Sequence, residues 1–407
     1  MIVVGGGAAG ILAAWNAARN GAEVTLLEKT ERLGTKILIS GGGKCNITHD
    51  GPLEDLLKEF RPNEARFVRP SCYRFTNHQV VEMLTEKGLR VMTRPDGRIF
   101  PVDQTAKDVV AILASYLRDS GVKISLKNPV ASVAKSADGW TVSTPQGQLS
   151  AEALVVTVGG SSYPKTGTTG DGWAWARSLG HKIVPVRAAL APIDLQDPSR
   201  FPSGVALRDC VLRARSAPKE VARWRGDLLF THHGVSGPTA LGVSREVAEA
   251  RLKGAVRLEV DLVPDTPFEE LQRQLHLWAK SNPQKTAKSI PFATIAESLA
   301  PLVLESARIG AETKVQSLAK RDLNVLCETV KRWDLGAVSR VPLEKGEVVA
   351  GGIDLNEVDP RTMESKLSPS LYFAGEILDI AGPVGGYNLQ AAFATGYVAG
   401  ESASQIR

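Results

Sequence analysis

The sequence predicts an α/β fold in which a discontinuous parallel-sheet domain carries one long insertion. Three observations lead there. The first 28 residues run strand, glycine cluster, helix, strand, acid. From about Val348 the chain returns to the same glycine-rich, strand-then-helix character. Between the two, from about Ala188, β runs broken by Pro and Gly give way to helical pattern. Residues 1–187 and 343–407 are therefore expected to form one domain, 188–265 a compact β domain, and 266–342 a helical subdomain.

The elements follow in order. Met1 to Val4 is a short apolar run of the kind that forms a buried strand. Gly5, Gly7 and Gly10 make a GxGxxG, and a helix is expected from about Ala9 to Asn20, stopped by Gly21. A second strand, Ala22 to Leu27, ends in Glu28, eighteen residues beyond Gly10. Each part has a mechanical reason in dinucleotide binding. Gly5 permits the tight turn, Gly7 lets the backbone approach a pyrophosphate, and Gly10 lets helix and strand pack closely. The helix N-terminus points free N–H groups at phosphate. A carboxylate at Glu28 accepts from a ribose 2′-OH and disfavours a 2′-phosphate.

A second glycine cluster, Ser40-Gly41-Gly42-Gly43-Lys44-Cys45-Asn46, brings backbone N–H groups toward a flat or anionic ligand, with Lys36 and Lys44 flanking it. A helix is expected over Gln104–Asp119 and a strand over Val122–Ser125. A small meander follows at Val130–Val133, Trp140–Thr144 and Leu149–Ala151, then a buried strand at Leu154–Val158. In the insertion, helical pattern covers Glu270–Lys280, Phe292–Leu304 and Val315–Arg321. Leu371–Ala374 reads as a strand leaving toward an acidic turn, where Glu376 or Asp379 is placed to hold a polyol hydroxyl. Gly385-Gly386 opens a final helix over Leu389–Glu401, whose N-terminus is suited to a developing negative charge.

Composition sets the bounds. At 407 residues, 43% hydrophobic and 23% charged, the chain has the make-up of a water-exposed globular protein of more than one domain. Four scattered cysteines (Cys45, Cys72, Cys210, Cys327) include no CxxC and no His/Cys cluster. That argues against a zinc site or disulfide scaffold and for a reducing cytosol. No apolar run has the length of a membrane span. A net charge of +5 permits an anionic partner without demanding one.

Five segments together carry a resemblance: SGGGKCN, GGSSYPKTGTTGDG from Gly159, LLFTHHGVSGP from Leu228, TMESK from Thr362, and LYFAGEILDIAGPVGGYNLQ from Leu371. In this order they resemble the HI0933-like flavoprotein family, also described as BaiN or aminoacetone-oxidase-like NAD(P)/FAD-dependent oxidoreductases, over essentially the whole chain. The resemblance implies a non-covalent FAD in a Rossmann-like domain of two-dinucleotide-binding type, an inserted β-barrel-like domain and a small helical subdomain. It further implies FAD contacts from Gly5, Gly7, Gly10, Glu28, Lys29, Lys36, Ser40, Gly42, Gly43, Asn46, Val130, Thr157, Gly375, Asp379, Asn388 and Gln390. Lys44 and Asp227 stand where the family usually has Arg and Glu.

Three features admit two readings each. Cys45 is either a proton donor beside the flavin or a packing residue. His232, with His233, is either an acid/base or part of a turn. Residues 208–225 hold Arg208, Arg213, Arg215, Lys219, Arg223 and Arg225 against Asp209 and Glu220, a net +4. That run is either an RNA-facing patch or a solvated strand face. No second GxGxxG occurs, so NAD(P)H is expected to dock transiently. The expected activity is hydride transfer to or from a C=C or C–N bond. The alternatives are reduction of uridine to dihydrouridine in ribosomal RNA, to which the resemblance extends, and a non-catalytic flavin redox sensor.

Overall fold

The computed structural model describes residues 1–291 and 297–405. It divides into two compact units, residues 1–187 with 347–407, and residues 188–346. In the first unit, short apolar strands form a five-stranded, all-parallel sheet: β1 (Ile2–Val4), β2 (Thr25–Leu27), β3 (Lys123–Ser125), β4 (Leu154–Val156) and β5 (Leu371–Phe373). The order across the sheet is β5-β4-β1-β2-β3. β1, β4 and β5 are buried throughout, as the unbroken Ile/Val/Leu runs of a parallel sheet require.

Two helices pack on this sheet, α1 (Ala8–Arg19) and α2 (Tyr387–Ala403). Their contact is closer than most because α2 presents Gly396 and Gly400. A Cβ at either would fall 2.1 Å from the carbonyl oxygen of Ala9 or Ala13 respectively. Ala9 and Ala13 thus oppose Gly396 and Gly400 in the same chain direction, so the helices run parallel. A meander of three antiparallel strands (132–136, 139–144 and 147–151) follows β3.

The second unit is a closed six-stranded barrel, ordered 193–195, 234–236, 219–231, 206–216, 257–261 and 333–340. Phe201, Phe230 and Trp333 fill it, with ring centroids 4.8–6.0 Å apart. The expected division at residue 266 does not hold. Trp333–Arg340 is the strand that closes the barrel, and the helices Phe268–Ser281 and Lys320–Lys331 share the barrel's apolar core. An unpredicted helix, Pro238–Arg251, lies inside the span read as β. Of the helix expected over Phe292–Leu304, residues 292–296 lie outside the described residues, and Ala300–Ser306 is helical.

One buried polar cluster in the first unit makes a pH-dependent contribution to stability. His181 is enclosed, its Nε2 2.8 Å from Ser365 Oγ and its Nδ1 3.1 Å from Glu357 Oε2. Ser365 Oγ already accepts from the N–H groups of Leu367 and Ser368, so its proton goes to Nε2 and the imidazole proton sits on Nδ1. The neutral ring is satisfied, and burial, opposed by Glu357, holds its pKa below the ordinary 6.5. The stability this supplies is complete above pH 6.5 and is lost as pH falls below it toward the lowered folded value. The urea midpoint should therefore drop between pH 7.5 and 5.5, and His181→Gln should flatten that drop. An equally steep drop in the variant would refute the assignment.

Candidate functional site

Because the sheet is parallel, the loops after β1, β2, β4 and β5 all emerge at one edge, where open α/β sheets bind ligands. After β1, Gly5 turns with φ +102°, and a Cβ there would meet Thr157 O at 2.7 Å. A Cβ on Gly10 would fall 1.8 Å from Gly5 O, so Gly10 is the contact that seats α1 beneath the turn. Gly7 differs from both. It is the N-cap of α1 in ordinary extended geometry, and a Cβ there would meet nothing within 4 Å. The first N–H groups of α1 have no side-chain cap among the described residues and no acidic residue in the first turn. Glu28, at the end of β2, accepts from Gly6 N (2.6 Å) and Thr30 N (2.7 Å), which leaves half of a carboxylate's lone-pair sites for ribose hydroxyls.

The N-terminus of α2 is a second such end: Gly386 (φ +93°) caps it, again with no side-chain cap or first-turn acid among the described residues. Since Ala9 lies beside Gly396, α2 begins about 12 Å beyond the start of α1 along a common direction, at 1.5 Å per residue. Two aligned positive helix ends at that stagger suit a dinucleotide whose pyrophosphate and ring system are separated by a ribityl chain. Asp379 is half-buried in the turn after β5, one carboxylate oxygen accepting from Gly351 N at 2.7 Å.

The Ser40–Asn46 segment is the second glycine cluster of the first unit. Gly41, Gly42 and Gly43 take left-handed φ values of 57°, 67° and 85° in succession, and a Cβ at Gly42 would meet nothing. Ser40 Oγ donates to Ile37 O. Asn46 Oδ1 is buried with no partner among the described residues, an acceptor that the N–H of a flavin ring would satisfy. The residues present thus fit FAD on the structure's own terms.

A model described as the HI0933-like protein Rossmann domain matches residues 1–402. The chain belongs to the HI0933-like family. It is 30% identical over 406 residues to a 3-dehydro-bile acid delta(4,6)-reductase of Clostridium scindens, covering 99% of this chain and 98% of that one. It is 29% identical over 413 residues to a ribosomal RNA dihydrouridine synthase of Haemophilus influenzae, with the same coverage. A 3-ketosteroid delta1-dehydrogenase from Sterolibacterium denitrificans shares the fold, with TM-score 0.53 at 14% identity over 99% of this chain and 98% of that one.

Several residues expected at the cofactor of this HI0933-like chain are engaged elsewhere. Gln390 is fully buried; its Nε2 donates to Phe75 O and its Oε1 accepts from Thr48 Oγ1, so its amide clamps α2. The Thr157 hydroxyl faces the Val4 and Gly5 carbonyls at 2.9 and 3.0 Å and shapes the glycine turn. Both ends of the Asn388 amide pair with Gly382, closing the loop before α2. Gly375 (φ +77°) is required by packing, since a Cβ there would sit 2.8 Å from that of Ala9. Val130 is half-buried in the segment after β3. Lys29 and Lys36 direct their ammonium groups at the loop 159–172: Lys29 at Thr169 and Asp171 (both 2.6 Å), Lys36 at Ser162 (2.6 Å) and Glu376. Glu376, one of the two acids expected to hold a polyol hydroxyl, joins three segments, since its other oxygen accepts from Val349 N.

Cys45 is 0% exposed, and burial raises its thiol to about 11, so in this structure it is packed within the loop. In the second unit His232 lies on the exposed turn Thr231–Gly234. Every arginine of the basic run has a carboxylate partner: Arg208 with Asp227, Arg213 with Asp261, Arg215 with Glu259, Arg223 with Glu220, and Arg225 with Asp209 and Asp265. The Arg213 guanidinium is directed inward at the buried Asp261, unlike the exposed Arg208, Arg223 and Arg225. No helix among the described residues is long and apolar enough to cross a membrane, and none of their His, Cys, Asp and Glu form a metal-holding group.

Proposed function

We propose that this protein is an FAD-dependent oxidoreductase that reduces a carbon–carbon double bond conjugated to a carbonyl, with electrons from transiently docked NAD(P)H. The two staggered, uncapped helix ends carry the FAD reading, supported by the orphaned Asn46 acceptor and by membership of the family. The start of α1 and the Gly5–Gly7 turn would hold the pyrophosphate, Glu28 the adenosine ribose, and Asp379 the ribityl chain. Asn46 and the start of α2 would hold the pyrimidine edge of the ring. When bound, the flavin supplies a hydride, and the α2 N-terminus stabilises the charge left on the ring. The bond class is supported by the two relatives, whose names both denote saturation of a carbonyl-conjugated C=C.

A small-molecule substrate is the better fit. Each arginine of the basic run is paired with a carboxylate, and Glu259, Asp261 and Asp265 come from the neighbouring strand and the turn after it. Four free, buried cysteines support a cytosolic location. The test is anaerobic reduction of the purified yellow protein with NADH or NADPH. Reoxidation by a 3-oxo-Δ4,6 bile acid is then compared with reoxidation by unmodified ribosomal RNA. FMN in place of FAD would overturn the cofactor reading; reduced protein inert toward both oxidants would overturn the reaction. Preferential reoxidation by RNA would select the dihydrouridine reading.

A further inference from the structure

The loop that leaves the carboxyl end of β4 closes on itself. Gly170 N donates to Gly160 O at 3.0 Å, so residues 161–169 leave and return through a single neck. Inside it the Tyr163 carbonyl accepts from Thr166 N and Thr166 Oγ1, both at 2.8 Å, and the Thr168 hydroxyl donates to Ser162 O. That is an Ω-loop, compact and held by its own bonds. Two lysines from earlier in the chain fasten it. Near the neck, Lys36 Nζ reaches the fully buried Ser162 Oγ at 2.6 Å. At the far end, Lys29 Nζ reaches Thr169 Oγ1 and Asp171 Oδ2, both at 2.6 Å, and Thr169 Oγ1 donates to Asp171 Oδ1 at 2.8 Å. The body of the loop rests on the same segment, since a Cβ at Gly167 would fall 2.8 Å from Thr30 Cγ2 and 3.4 Å from Lys29 Cε. Lys29 and Thr30 directly follow Glu28, and Thr30 N is one of the two groups that hold the Glu28 carboxylate. The loop therefore lies against the segment that carries the ribose acid.

We propose that residues 161–169 form a strap that retains FAD at its adenosine end, and that the Lys29–Asp171 ion pair is the latch of that strap. The inference rests on the FAD reading above, which places the adenosine ribose at Glu28. Lys29 then acts on the cofactor through the loop, in place of the direct contact that the resemblance implies. Departure of the adenosine requires the loop to lift from Thr30. Lifting breaks the Lys29 contacts but leaves the Gly170–Gly160 bond and the Ser162 anchor in place. The strap can thus open locally while the parallel sheet stays folded. The latch side chains are 29% and 39% exposed, so the pair contributes modestly and can part without a large cost. Partial burial would raise the Asp171 carboxyl, but the hydrogen bonds from Lys29 and Thr169 outweigh it and hold it below the ordinary 3.8. The latch is therefore charged throughout the neutral range.

The test is the rate at which full-length, FAD-loaded protein releases its cofactor after dilution, followed by the fluorescence of free FAD. Lys29→Met and Asp171→Asn should each speed release by about 3-fold to 10-fold, the scale of one half-exposed ion pair with its hydrogen bonds. The double variant should release no faster than either single one, because both remove the same latch. Reversing the pair, with Lys29→Asp and Asp171→Lys together, should bring the rate back toward wild type. The flavin absorbance spectrum and the melting temperature of the FAD-saturated variants should match wild type. Release at the wild-type rate in either single variant overturns the proposal. So does fast release confined to Lys29→Met, which would make Lys29 a direct cofactor contact. An additive double variant, or fast release with a lowered melting temperature, overturns it as well. Wild-type protein that purifies with FMN, or with no flavin, overturns the FAD reading itself.

Discussion

Gly7→Val should purify folded and colourless. The position has φ −83° and ψ −169°, open to any residue, and a Cβ there meets no protein atom, so the apo fold tolerates a side chain. The valine would occupy the space through which a pyrophosphate reaches the first N–H groups of α1. Losing even one charge-assisted bond worth about 1.5–3 kcal/mol, with the steric displacement added, lowers FAD affinity by about 100-fold or more. Gly10→Ala, three residues on, should instead fail to fold, because its Cβ would overlap the Gly5 carbonyl. Flavin absorbance together with the melting temperature separates the two variants. Stoichiometric FAD in folded Gly7→Val protein would overturn the placement of the pyrophosphate.

That contrast also shows what the sequence could disclose. The first βαβ unit was legible because its chemistry is local. Three glycines within six residues serve a turn, a ligand and a helix contact, and the following acid lies one strand away. The resemblance to the HI0933-like family was legible for the same reason, since its motifs are short and continuous. Long-range partners were not. The barrel closes by pairing Asp194 with Arg340, 146 residues apart, and neither strand announces the other. The resemblance implies Gln390 as a cofactor contact, yet its amide is used by Phe75 and Thr48, from an unrelated stretch of chain. Lys29 and Lys36 flank the glycine loops in sequence, but carboxylates more than a hundred residues away fix where they point.

The basic run Arg208–Arg225 shows most sharply how cross-strand partners change a reading, and it carries the second large prediction. Counted along the chain it is a net +4, but the neighbouring strand Arg257–Asp261 and the turn after it bring Glu259, Asp261 and Asp265 against it. Asp261 is the critical member. Its side chain is 3% exposed, Arg213 lies 3.1 Å and Lys331 2.8 Å from one carboxylate oxygen, and Val263 N donates to the other. Asp261→Ala would leave two largely enclosed cations facing each other, which costs about 3–5 kcal/mol, because breaking a buried pair strands its partners' charge. The urea midpoint should fall sharply. Adding Arg213→Met to that variant should restore part of the loss by removing one stranded cation. Gln at the exposed Arg208, Arg223 and Arg225 should leave the midpoint near wild type, since exposed pairs contribute little. Those three, without Arg213, are therefore the positions at which the salt dependence of any RNA binding can be tested without unfolding the barrel. An unchanged midpoint in Asp261→Ala would refute the buried network as a source of stability.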